Sequence, residues 1–295
     1  MQQSESVRRA IEELGTELGP AMMEGMLAIF NEEQNAMAEK YPAIATDLAY
    51  GEHDRHRLDI YGPHSLIASD SEKPTAGLPV LIFAHGGGFL KGDKGDESRW
   101  YNACVGRMAD ERNMLGVVIN YRLAPEFTWP SGGEDLAKVV TWLKENVADW
   151  GGNPEKLFLI GTSAGANHVA TYNQLYPQQQ EVRGLLFLSG LYGVTPLDDR
   201  DTHYYGEPAL YPNRMALPSL VSCPLPLFIA CSEHDPQRFQ QEWMGLVQQR
   251  LTVQHKQDRT LVLSGHNHYS IAGHLGTSDT RLADEIMTYI NARLT

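Results

Sequence analysis

Between residues 45 and 264 the apolar positions fall into short, nearly continuous runs: 45–50 (ATDLAY), 56–61 (HRLDIY), 79–84 (PVLIFA), 115–121 (LGVVINY), 157–161 (LFLIG), 184–189 (GLLFLS), 226–231 (PLFIAC) and 260–264 (TLVLS). Their length and β-rich composition predict eight strands. The first two lie close enough together to form a hairpin. The later ones are separated by helix-length segments, which predicts parallel strands joined by right-handed crossovers. Segment 133–150 has the clearest helical period, with Leu136, Val139, Val140, Leu143, Val147 and Trp150 on one stripe. The last helix, about 279–293, repeats it with Leu282, Ile286, Tyr289 and Ile290. Ahead of the strands, residues 4–40 predict two short amphipathic helices. Val7, Ile11, Leu14 and Leu18 mark the first, and Met22, Met26, Ile29 and Phe30 mark the second, after a break at Gly19-Pro20. The expected architecture is a mixed, mainly parallel sheet with helices on both faces.

Two stretches depart from this alternation. The Pro/Gly-rich segment 62–78 reads as a solvated connection. Segment 191–225, rich in Tyr, Pro and Leu, is too apolar for a linker and too broken by proline for a regular helix, so it is expected to pack over something. The division that follows is an N-terminal helical segment 1–44 and a main domain 45–295, with 191–225 as a second covering segment.

Composition narrows the function classes. The 295 residues are 42% hydrophobic, enough for a sizeable core. Twenty-four Lys and Arg against 37 Asp and Glu leave a formal charge of −13, which repels phosphate backbones and anionic lipid and argues against nucleic-acid and membrane partners. Three cysteines, Cys104, Cys223 and Cys231, with no Cys-x-x-Cys, argue against a disulfide framework and a zinc site and read as buried thiols. The N-terminal MQQSESVRRAIEELG carries charges where a secretory signal needs an apolar stretch, and no apolar run approaches a membrane span. A cytoplasmic enzyme or binding protein for a small molecule is expected, and a homodimer is compatible with the composition.

The chemistry is concentrated at strand ends. Gly161-Thr162-Ser163-Ala164-Gly165 directly follows a predicted strand and opens a helix-compatible run. A serine on such a turn is presented above the carboxyl end of a parallel strand, where open α/β sheets place their ligands. A serine nucleophile needs a base and a place for the developing oxyanion. His85-Gly86-Gly87-Gly88-Phe89, at the end of another strand, offers unshielded peptide N–H groups. Gly87, Gly88 and Ala164 are therefore the candidate oxyanion donors. Two later windows can supply acid and base: Ser232-Glu233-His234-Asp235-Pro236 and Gly265-His266-Asn267-His268-Tyr269. Asp235 is favoured over Glu233 because the following proline stops the strand and fixes the turn. His266 and His268 compete for the base. His85, His203, His234 and His274 read as structural or surface residues.

Taken together, HGGGF, NYRLAPE (120–126), WPSGGED (129–135), GTSAG, SEHDP and NHYS resemble the hormone-sensitive-lipase-like branch of the α/β-hydrolase superfamily, and YGEHDRHRLDIYGP (50–63) is similar to the related bacterial esterases and kynurenine formamidases. The resemblance covers about residues 45–295. It implies an α/β-hydrolase fold with the N-terminal helices as a cap, Ser163 as nucleophile, Asp235 as acid and His268, which precedes an aromatic residue, as base. It also implies that His85 and NYRLAPE shape the oxyanion loop. The loop reads Asp-Pro-Gln where the family usually has a leucine after the aspartate.

The implied activity is a carboxylesterase acting without metal or organic cofactor on short- to medium-chain or aromatic esters. Phe89, Tyr192, Tyr204, Tyr205 and Tyr211 are candidate substrate-binding residues, with packing as the competing role for the tyrosines. The alternatives are an arylformamidase using the same three residues and, with less support because all three are present, a non-catalytic ligand receptor.

Overall fold

The structure, a computed structural model, describes residues 3–63, 77–95, 100–177, 181–196 and 198–294. Two helices come first, α1 (Glu5–Glu13) and α2 (Pro20–Lys40), with Pro20 in the first turn of α2. The strands are β1 (Ala43–Ala49), β2 (Arg57–Tyr61), β3 (Leu78–Ala84), β4 (Leu115–Ile119), β5 (Gly152–Thr162), β6 (Val182–Leu188), β7 (Leu227–His234) and β8 (Arg259–Asn267). Between and after them lie α3 (Ala103–Glu111), α4 (Ser131–Asn146), α5 (Ala164–Leu175), the short helices α6 (Thr202–Tyr205), α7 (Tyr211–Arg214) and α8 (Leu217–Ser222), then α9 (Gln237–Gln254), α10 (Ser270–Gly273) and α11 (Arg281–Asn291).

The eight strands form one sheet in the order β1-β2-β4-β3-β5-β6-β7-β8. β1 pairs antiparallel with β2, as the hairpin spacing predicts, and β2 pairs antiparallel with β4; every later pairing is parallel. The central strands read as unbroken apolar runs because alternate side chains enter different layers. Val80, Ile82, Leu157, Leu159, Leu185 and Phe187 pack with the stripe of α4, with Val169 of α5 and with Leu246 of α9. Leu81, Phe83, Phe158, Ile160, Leu186 and Phe228 face α3, α11 and the N-terminal helices through Met108, Ile286, Ile11 and Met26. The mixed, mainly parallel sheet covered on both faces is the one the sequence pattern predicts, and it is the α/β-hydrolase fold that the resemblance implies.

Over its described residues, segment 191–225 holds no long helix but the short α6, α7 and α8 joined by turns, in keeping with its prolines. Of the connection 62–78, residues 64–76 lie outside the described residues. The three thiols are buried and unpaired, and burial raises those of Cys104 and Cys231 to about 12. Among the described residues no helix is long and apolar enough to cross a membrane.

Candidate active site

The carboxyl ends of the parallel strands bring the predicted windows to one rim of the sheet. Ser163 is the single residue between β5 and α5, with φ 52° and ψ −122°. A side chain at positive φ is strained, and such strain collects at functional turns. The flanking glycines make the turn feasible: a Cβ on Gly165 would overlap the Ala84 carbonyl oxygen, and one on Gly161 would overlap the Gly165 backbone. The Ser163 N–H donates to the Leu188 carbonyl at 3.0 Å, which ties the turn to the end of β6.

The 85–92 loop abuts this turn. A Cβ on Gly86 would lie 3.2 Å from that of Ser163. Gly87 has φ +133° and no room for a side chain, because a Cβ there would overlap the Lys91 carbonyl. The NYRLAPE stretch holds the loop in place. Tyr121 donates its hydroxyl to the His85 carbonyl at 2.6 Å and stacks on the His85 ring, and the Ala124 N–H donates to the Phe89 carbonyl at 3.0 Å. Burial lowers the His85 pKa to about 4, so this imidazole is a neutral structural group. The N–H groups of Gly87, Gly88 and Ala164 donate to no other group among the described residues.

Asp235 and His268 meet after β7 and β8. Nδ1 of His268 lies 2.7 Å from Oδ1 of Asp235, and both side chains are buried. The second carboxylate oxygen accepts from the Ser189 hydroxyl at 2.6 Å and from the Ser232 N–H at 2.7 Å. With Nδ1 donating to the carboxylate, Nε2 is left as the acceptor, and the Phe239 ring packs 4.2 Å from the imidazole. The Ser163 hydroxyl makes no hydrogen bond to His268 or to any other described residue. The connection runs instead through Ser189: its hydroxyl bonds Asp235, and the preceding Leu188 accepts the Ser163 N–H.

The competing candidates are engaged elsewhere. Glu233 is exposed and accepts from the Ser264 hydroxyl and the Gly265 N–H, both at 2.7 Å, which holds its carboxyl below the usual range. His266 donates through Nε2 to Asp279 at 3.0 Å, and its Nδ1 lies 3.0 Å from the Ser270 hydroxyl. His274 is buried against the His266 ring, whereas His203 is exposed and His234 partly so. His266, His274 and Asp279 form a group that could in principle hold a metal ion, but Arg281 already donates to both Asp279 oxygens, and its charge opposes a cation there.

Of the candidate pocket residues, Phe89, Tyr204, Tyr205 and Tyr211 are brought together. Phe89 and Tyr204 stack at 4.4 Å and 2°, and Tyr205 meets Phe89 and Tyr211 edge-on. Tyr192 is separate: it packs into the sheet core against Phe187.

Sequence reasoning missed Ser189, Phe239 and Glu242. Ser189 ends a predicted strand at the same rim, a signal that was present. Glu242 gave none. It is a buried carboxylate in mid-helix that accepts the N–H groups of Tyr192, Gly193, Val194 and Thr195 at 2.7, 3.0, 3.1 and 2.7 Å, pinning the start of the 191–225 covering to α9.

A family model described as alpha/beta hydrolase fold matches residues 81–219. A probable isoprenylcysteine alpha-carbonyl methylesterase of Oryza sativa subsp. japonica is 34% identical over 138 residues, 47% of this chain and 29% of the relative. Carboxylesterase NlhH of Mycobacterium tuberculosis is 39% identical over 100 residues, 33% of this chain and 30% of the relative. The chain thus covers less than a third of the length of either relative. Among solved structures, the hyperthermophilic esterase of the archaeon Pyrobaculum calidifontis superposes with a TM-score of 0.69 at 18% identity, covering 100% of both chains. Esterase B of Lactobacillus rhamnosis, inhibited by a tributyrin phosphonate, gives 0.69 at 16% identity over 94% of this chain and 97% of that one.

Proposed function

We propose, with the α/β-hydrolase fold as premise, that the chain is a serine carboxylesterase of the hormone-sensitive-lipase-like kind, acting on short- to medium-chain or aromatic esters through an acyl-enzyme. The observation that carries this reading is the buried hydrogen bond from His268 Nδ1 to Asp235, on the rim shared by the strained Ser163 turn and the 85–92 loop. In this reading Ser163 Oγ attacks the ester carbonyl as its proton passes to His268 Nε2. Asp235 holds the imidazole in the tautomer with Nδ1 protonated and stabilises the imidazolium that forms. The tetrahedral oxyanion accepts from Gly87, Gly88 and Ala164, whose N–H groups have no competing acceptor among the described residues. Collapse expels the alcohol, which takes the proton from His268. Water then repeats the sequence and releases the acid.

The Ser163–His268 bond forms when substrate draws the serine rotamer toward the base, in keeping with the tightening of catalytic hydrogen bonds in Michaelis complexes. Phe89 walls the pocket together with Tyr204, Tyr205 and Tyr211 of the covering 191–225, with the N-terminal segment as cap. The curated relatives are named as esterases, which supports an ester substrate over a formamide. Hydrolysis of a 4-nitrophenyl acyl series run beside N-formylkynurenine tests this: the expected result is turnover of the C2 to C6 esters, abolished by Ser163→Ala. Preferential hydrolysis of the formamide would make the chain an arylformamidase, and no hydrolysis of either would leave the receptor reading.

A further inference from the structure

The 198–205 stretch sets a cation over the 85–92 loop. The Nε and Cδ atoms of Arg200 lie 3.9 and 4.0 Å from the point where a Cβ of Gly88 would sit, with nothing between. Its backbone is fixed from both sides. Asp201 is buried and paired with Arg238 at 2.6 Å, and the Asp198 N–H donates to Asp201. Four residues on, Tyr204 stacks on Phe89 of the same loop.

The arginines nearby, Arg214 of the covering and Arg238 of α9, are committed. Arg238 binds Asp201, Asp198, Thr195 and the Pro196 carbonyl; Arg214 donates to the Tyr205 carbonyl and lies over the Trp129 ring. Arg200 is exposed, and among the described residues its guanidinium has no hydrogen bond or ion pair. Burial raises the pKa of the Tyr269 phenol, next to His268, and the Arg200 charge acts against that rise. In a chain of net charge −13 this guanidinium stands beside the predicted oxyanion loop, flanked in sequence by the exposed Asp198 and Asp199 and by Asp201, of which Asp198 and Asp201 are paired with Arg238.

We propose that Arg200 is a specificity-determining residue that binds a carboxylate on the substrate, so that the preferred esters carry an anionic group a few bonds from the scissile carbonyl. The proposal rests on the hydrolase reading and deepens it. A guanidinium fork matches a carboxylate in plane and in charge, and Arg200 lies beside Gly88, one of the proposed oxyanion donors. The carboxylate can belong to the acid or to the alcohol half of the ester, and the test separates the two.

The acid arm compares mono-4-nitrophenyl glutarate with 4-nitrophenyl pentanoate, and the alcohol arm compares 4-carboxyphenyl acetate with phenyl acetate, spontaneous rates subtracted. Each pair is run with the intact chain and with Arg200→Gln and Arg200→Lys. In at least one arm the intact chain is expected to favour the anionic ester in kcat/KM. In that arm the anionic-to-neutral ratio should fall about fivefold or more in Arg200→Gln, the order of one partly exposed ion pair, and recover in part with lysine. The preference should also shrink as salt rises. Neutral esters turned over with an anionic-to-neutral ratio that Arg200→Gln does not change in either arm overturns the proposal and leaves the hydrolase reading standing. No turnover of any of the four esters by the intact chain overturns both.

Discussion

Two His–Asp pairs, their histidines two residues apart at the end of β8, teach why one reads as chemistry and the other as architecture. His266 lies within the last residues of the strand and His268 directly follows it; both are buried, and they bond one carboxylate each, at 3.0 and 2.7 Å respectively. The difference is at the far side of each ring. His266 has both nitrogens engaged, by Asp279 and by Ser270, its carboxylate is clamped by Arg281, and Phe30 of α2 stacks over it. Its environment is complete without a substrate. Among the described residues His268 has only one nitrogen engaged, and its carboxylate is neutralised by no cation but held by the Ser189 hydroxyl and the Ser232 N–H. A base must keep one nitrogen for the substrate proton, and this is the pair that does.

The largest effect expected from breaking this contrast is kinetic. His268→Ala or Ser163→Ala should lower kcat by roughly 10⁴-fold or more, the scale of triad deletions, and leave the thermal transition nearly unchanged. Steady-state rates beside thermal melts test it; a His268→Ala variant that retains more than a tenth of the activity would set this pair aside.

The opposite signature is expected at the second pair. Asp279→Asn takes the anion from buried His266 and from Arg281 and should cost about 3 kcal/mol of stability; His266→Ala, which leaves Asp279 with Arg281, should cost less, and kcat per folded molecule should change by less than about threefold in both. Urea unfolding with parallel activity assays measures both numbers.

The same residues predict a pH dependence of stability. Burial lowers the pKa of His266, lowers those of His274 and His168 to about 3, and lowers that of His85 to about 4. Groups whose folded pKa is depressed are protonated more readily in the unfolded chain, so their contribution is fully present above about pH 6.5 and is lost progressively as pH falls towards 4. Burial acts to raise the Asp279 carboxyl, but the bonds from Arg281 and His266 outweigh it and hold the carboxyl well below its usual range, which adds a further loss below about pH 4. Unfolding free energy measured from pH 7.5 to 4.5 should decline throughout the lower part of the range; a flat profile contradicts the buried neutral histidines.

Much of this was legible from residue pattern alone. The eight strands were readable because buried parallel strands are continuous apolar runs, and the Ser163 turn because strand, small residues and helix follow one another with no slack. The choice between the two histidines was not readable from local sequence, because it depends on Asp279 and Ser270 downstream and on a helix more than 200 residues upstream, contacts that leave no periodic trace. Tyr192 shows the same limit. Its type and position suited a pocket wall, but the four N–H bonds to Glu242 turn that stretch inward to the core. Ser189 was hidden for the opposite reason: it looked like the last residue of an ordinary strand, and only the approach of β7 gives its hydroxyl the Asp235 carboxylate as partner.

That hydroxyl sharpens the comparison at its smallest scale. Ser189→Ala removes one of the three donors that the described residues place on the Asp235 carboxylate and should lower kcat about tenfold with KM little changed, the worth of one hydrogen bond to a charged group. Ser189→Thr should restore most of the rate. A fall in thermal stability alone, with kcat intact, would make Ser189 a packing residue.

Covalent capture addresses the proposed nucleophile without reference to any particular ester. Incubation with a fluorophosphonate, followed by intact mass and peptide mapping, should yield one adduct per chain on Ser163, lost in Ser163→Ala and slowed in His268→Ala but formed at an ordinary rate in His266→Ala. An adduct on another residue, or none on a chain that melts cooperatively, contradicts a catalytic serine at the end of β5.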